Sequence, residues 1–122
     1  MKNLKTIALS VATLALFAFT TATISWKNDV HDFGDIKKAN PVTHEFSFTN
    51  TTDKVVLINS VRPSCGCTVA NHTKTPIKPN ETGMVAATYN AAAPGAFHKT
   101  ITVITSDGET PKVLTIKGKV IE

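Results

Sequence analysis

The chain has 122 residues, a formal net charge of +4, 18% charged residues and two cysteines. That length fits one domain with a core of its own, since a chain of about 100 residues already buries roughly two thirds of its unfolded surface. The 13 basic residues are scattered and do not alternate with aromatics, so the footprint of a nucleic-acid binder is missing.

The N-terminus reads as a targeting segment. Lys2 and Lys5 supply a positive start, residues 7–19 are apolar apart from Ser10 and Thr13, and Thr20, Thr21 and Ala22 suit a cleavage site. This is the layout of a secretory signal peptide, assigned to residues 1–22, with a mature domain over 23–122. The apolar run falls short of the about 20 residues a membrane helix needs, so no transmembrane segment is expected after cleavage. No cysteine lies near the cleavage region, which argues against a lipoprotein anchor. Loss of Lys2 and Lys5 lowers the formal charge from +4 to +2, so the sequence pI of 9.2 overstates the mature protein. The expected location is secreted or periplasmic, where thiols meet an oxidising environment.

Residues 24–36, with Trp26, Val30, Phe33 and Ile36 as apolar points, predict a first strand with a bend or bulge near Gly34. His31 is expected at the surface or a strand edge. Asn40-Pro41 closes a charged turn. Residues 42–49 then alternate, with Val42, His44, Phe46 and Phe48 on one face, which predicts a strand with one buried side. His44 is expected to be partly buried near a sheet end. Asn50-Thr51-Thr52-Asp53 predicts a hairpin turn into a strand over 54–61, whose interior is Val56, Ile58 and Val61.

Next comes Arg62-Pro63-Ser64-Cys65-Gly66-Cys67-Thr68-Val69, which carries both cysteines. Pro63 removes a donor and ends the strand. Gly66 adopts almost any backbone conformation and lets the chain turn between the two thiols. Residues 71–82 predict a loop pinned by Ile77. Val85, Ala87 and Tyr89 point inward from the following strand, and Pro94-Gly95 ends any helix that three alanines would start. Residues 97–105 and 111–121 complete the set, separated by the turn Ser106-Asp107-Gly108. About seven short strands and no helical period predict an all-β, antiparallel immunoglobulin-like sandwich with Phe46, Phe48, Ile58, Tyr89, Ile101, Val103, Leu114 and Ile116 in its core.

Several motifs then line up in one order: Asp32-Phe33-Gly34-Asp35-Ile36, Phe46-Ser47-Phe48-Thr49-Asn50-Thr51, Ser64-Cys65-Gly66-Cys67-Thr68 and Glu81-Thr82-Gly83. Gly95-Ala96-Phe97-His98-Lys99-Thr100-Ile101-Thr102-Val103 and Leu114-Thr115-Ile116-Lys117-Gly118-Lys119-Val120 follow. Together they resemble the DUF1573 family of exported bacterial proteins, found mainly in Bacteroidetes and their relatives. The resemblance covers about residues 33–121, and Ser-Cys-Gly-Cys-Thr is its most specific part. It implies a sandwich akin to the ASPM–SPD-2–Hydin modules, which are associated with protein attachment rather than catalysis. The family's usual Pro-Gly before the glutamate is here Pro79-Asn80, and asparagine also tolerates positive φ.

Cys65 and Cys67 carry the only sharp chemistry. Four readings stand side by side: a structural corner, a redox-active disulfide, a soft-metal site for Cu(I) or Zn with His72 as a third ligand, and a bridge to another chain. His31, His44, His72 and His98 show no metalloprotease spacing, and no nucleophile elbow or phosphate-cradling loop occurs. Asn50, Asn71 and Asn80 fit the glycosylation pattern but read as turn residues. The expected protein is a monomeric binding or scaffolding module without a cofactor. Its partner is an unidentified envelope or extracellular protein, and the alternative is a thiol protein.

Overall fold

Alternation of apolar and polar residues decides which side of each strand is buried, and burial of those sides against each other builds the molecule. The computed structural model describes residues 24–108 and 110–122; the signal peptide expected over 1–22 lies outside them. Eight strands are present among the described residues: β1 (Ser25–Trp26), β2 (Val30–Lys37), β3 (Val42–Thr49), β4 (Ile58–Pro63), β5 (Thr68–His72), β6 (Thr82–Tyr89), β7 (Gly95–Thr105) and β8 (Lys112–Ile121). One sheet has the order β1-β3-β6-β5 and the other β2-β8-β7-β4.

The two sheets face each other across one core. Phe46 and Phe48 of β3, Val85, Ala87 and Tyr89 of β6, Ile101 and Val103 of β7, and Leu114 and Ile116 of β8 are all buried in it, together with Ile58. All eight core residues expected from the alternation are there. Ile77 is also buried and exchanges two backbone hydrogen bonds with Val56, at 2.8 and 2.9 Å, so it pins its loop as expected.

Three expectations need correction. The predicted first strand is two: β1 pairs antiparallel with β3, and the chain then crosses to the other sheet, where β2 runs parallel to β8. The sandwich is therefore mixed, with eight strands. The bulge does fall at Gly34, which has a φ of 69° and sits inside the register shift between Asp32 and Asp35.

The predicted hairpin between β3 and β4 does not form. β3 pairs with β6 and β4 with β7, so residues 50–57 arch from one sheet to the other. A polar turn signal marks a reversal but does not say whether the returning strand pairs or faces its predecessor. Here facing lets Phe48 and Ile58 bury against the same core.

Candidate functional site

β4 and β5 are the outer strands on one flank, and the Cys-Gly-Cys corner joins them. Pro63 closes β4 as expected. Ser64 then fixes the chain to β7: its N–H donates to the Thr100 carbonyl at 2.8 Å, and its Oγ accepts the Thr100 N–H at 3.1 Å. On the far side of the corner, the Asn90 N–H donates to the Cys67 carbonyl at 3.0 Å. Between these two anchors Cys65 and Cys67 form a disulfide, with Cα atoms 5.4 Å apart.

Both cysteines are half-buried. Cys67 packs against the core, and its N–H donates to the Cys65 sulfur at 3.3 Å. The Thr68 N–H closes the turn onto the Cys65 carbonyl at 3.3 Å.

Gly66 departs from expectation. Its φ lies outside the left-handed region, and a Cβ on it would meet no atom within 4 Å beyond those of its two chain neighbours. The turn is made by the anchored flanks and does not need glycine; what Gly66 leaves is open space beside the bridge.

His72 is not brought to the sulfurs. It ends β5 while Cys67 precedes it, a separation of about 16 Å along an extended strand. Its Nδ1 lies 2.9 Å from the Thr73 carbonyl. The expected Cys65, Cys67 and His72 donor set is therefore not assembled.

The opposite flank holds what sequence reasoning left unassembled. β1 covers β3 only at Phe48 and Thr49, and the Lys27 N–H reaches the Ser47 carbonyl at 3.0 Å. Main-chain groups of alternate residues point the same way. The N–H and C=O of Thr43 and Glu45 therefore face outward like the Ser47 carbonyl, and no described strand pairs with them there. Both residues are exposed.

Just inside this edge the imidazoles of His31 and His44 stack at 3.7 Å, with Phe33 edge-on to His31 and Phe46 edge-on to His44. His31 thus lies on the edge strand β2, as one of the two expected positions had it, and is half-buried between the sheets. The signal was its position two residues before Phe33, in the same strand phase. The partly buried position expected for His44 is what the structure shows.

His44 Nε2 is shut off from solvent and has no hydrogen-bond partner among the described residues. Burial pushes its proton affinity below the ordinary histidine range. The neighbouring His31 adds to that, and Glu45 opposes it. The unfolded chain therefore takes up this proton at higher pH than the fold does, so the associated stability is present above the ordinary value and lost as pH falls below it. Between about pH 7 and pH 5, denaturation midpoints of the wild type should fall, and those of His44→Phe should fall less. Identical acid limbs for both proteins would rule out His44 as the source.

Comparison with known proteins bears on the family and the fold. Residues 24–120 match the family described as "Protein of unknown function (DUF1573)". The chain belongs to the DUF1573 family. No curated protein sequence matches it.

Among solved structures, this DUF1573 domain is similar to a protein of unknown function from Porphyromonas gingivalis W83. The TM-score is 0.68 and the identity 15%, over 86% of this chain and 51% of that one. The chain thus spans about half the length of that relative. It is also similar to the ASH/PapD-like domain 7 of human CEP192, with TM-score 0.67 and 10% identity over 83% and 87% of the two chains. The secreted serine protease VesC from Vibrio cholerae contains a similar unit, with TM-score 0.64 and 14% identity over 84% of this chain and 24% of the protease. At these identities the likeness is one of fold.

Proposed function

We propose that this domain is an exported binding or scaffolding module of a bacterial cell envelope. It holds a protein partner by accepting an extended segment along the uncovered part of β3. The observation that carries this reading is that the main-chain N–H and C=O groups of Thr43 and Glu45 face away from β6 with no strand of the described residues beside them.

The flank carrying the disulfide is partly protected against such pairing. Pro63 offers no donor there, β4 is irregular between Ile58 and Ser60, and the Asn71 side chain occupies the His72 N–H at 2.9 Å. Along Thr43 and Glu45 no proline, register shift or side-chain hydrogen bond of the described residues blocks the outward main chain. An added strand would gain main-chain hydrogen bonds in place of those made by water.

The test uses Glu45→Pro, which removes an N–H the fold itself does not use, with Glu45→Ala as a control for lost charge. Affinity capture from envelope extracts should recover a partner with wild type and Glu45→Ala, and lose it at least about tenfold with Glu45→Pro, a change of about 1.4 kcal/mol. Equal recovery by all three proteins, with unchanged folding, would place binding elsewhere.

The alternative reading, a thiol redox or soft-metal protein, rests on Cys65 and Cys67. The bridged state favours its redox branch, because a disulfide offers no thiolate to Cu(I) or Zn.

A further inference from the structure

We propose that the Cys65–Cys67 bridge is a thiol–disulfide exchange site that oxidises accessible dithiols of other proteins. The corner does not depend on the bridge for its shape. Ser64 is held to Thr100 by two hydrogen bonds and Cys67 to Asn90 by one, so both flanks stay in place when the sulfurs separate. The bridge spans one intervening residue, so it removes little freedom from the unfolded chain. A link that contributes little to holding the fold, half-exposed and beside open space at Gly66, is suited to opening and closing.

The two sulfurs differ. Cys67 packs against the core, whereas the Cys65 sulfur accepts the Cys67 N–H at 3.3 Å. A thiolate of the client attacks the Cys65 sulfur; the S–S bond breaks and Cys67 leaves as a thiolate, which takes a proton from solvent. The client's second thiolate then attacks its own sulfur in the mixed disulfide and releases Cys65 as a thiolate, held by the Cys67 N–H until protonated. Two electrons pass from the client dithiol to the bridge. The client gains one disulfide, and the domain is left with two thiols.

The experiment mixes native mature protein with a two-cysteine peptide and reads free thiols by alkylation and intact mass, with circular dichroism recorded alongside. One equivalent of peptide should be oxidised per domain reduced, with the β spectrum unchanged. In a second arm, Cys67→Ser, which keeps Cys65, should form a mixed disulfide with oxidised glutathione about threefold faster than Cys65→Ser. That advantage comes from the backbone N–H of position 67, which stabilises the attacking Cys65 thiolate and has no counterpart at Cys67. If the wild-type bridge opens only together with unfolding, or leaves the peptide dithiol untouched, the proposal fails. If the two variants react at equal rates, the assignment of Cys65 as the attacked sulfur fails. The wild-type arm stands even if a variant does not fold.

Discussion

Replacing Phe48 by alanine is expected to lower stability by about 3–5 kcal/mol, a large part of what a domain of this size possesses. The ring is 1% exposed, and Trp26 packs on it with ring centroids 4.7 Å apart. On the neighbouring strand its register partner is Gly83, where any Cβ would collide with the Phe48 ring and with Ile77. Gly83 is therefore the recess the ring fills, and its walls are strands held in register by their ladders. Such walls cannot close over the space that alanine leaves, so the cavity term adds to the lost transfer energy. Denaturant unfolding should show the loss as a lower midpoint with little change in slope. A loss under about 1 kcal/mol would mean the recess collapses.

The second large effect is expected at Asn50, which is fully buried where β3 turns into the arch. Its Nδ2 donates to the Lys54 carbonyl at 2.7 Å and the Ile77 carbonyl at 2.9 Å, and its Oδ1 accepts the Thr52 N–H at 3.0 Å and the Thr52 hydroxyl at 2.6 Å. One side chain thus ties the end of β3 to the arch and to the Ile77 loop. Asn50→Leu keeps the branched shape of the side chain but removes the donor and acceptor that hold those groups. The Ile77 carbonyl keeps the Val56 N–H at 2.9 Å, the Lys54 carbonyl keeps the Thr52 hydroxyl at 3.0 Å, and the half-buried Thr52 N–H is close enough to the surface to find water. The expected cost is about 2–4 kcal/mol, from four lost hydrogen bonds at roughly 0.5–1 each, the low half of the usual range because each freed group keeps or finds another partner. Chemical denaturation of Asn50→Leu measures it, and a neutral result would show that the arch is held by packing alone. The same hydrogen bonds commit both Nδ2 protons inside the fold, which fits reading this asparagine as a turn residue and not as a glycan acceptor.

The parts of the fold legible in the sequence are those where burial repeats. β3, β6, β7 and β8 each bury alternate residues, and that period identified Phe46, Tyr89, Ile101 and Leu114 as core. Asn80 at a φ of 69° likewise meets the demand its turn places on backbone geometry. Sheet membership was not legible, because β3 and β4 present the same alternation whether they pair or face each other. The split of the first strand was hidden for a related reason: Trp26 and Phe33 both point into the core, although they belong to different sheets.

Of the candidate site, the proximity of Cys65 and Cys67 follows from their spacing and the proline before them. His72 failed as a third ligand because an extended strand carries it away from the corner, which makes distance in sequence an overestimate of closeness. The uncovered edge of β3 had no signature at all. It arises because β1 ends after Trp26 and the chain leaves for the other sheet, a consequence of topology and not of residue type.

Amide hydrogen exchange of Thr43 and Glu45, with the captured partner absent and then present, tests the binding account most directly. In the free protein these two amides should exchange quickly, while those of His44 and Phe46, which face β6, stay protected. Partner binding should slow Thr43 and Glu45 and leave the corner around Cys65 and Cys67 unchanged. Protection that appears at the corner or along β5, with Thr43 and Glu45 still exchanging freely, would contradict strand addition at β3.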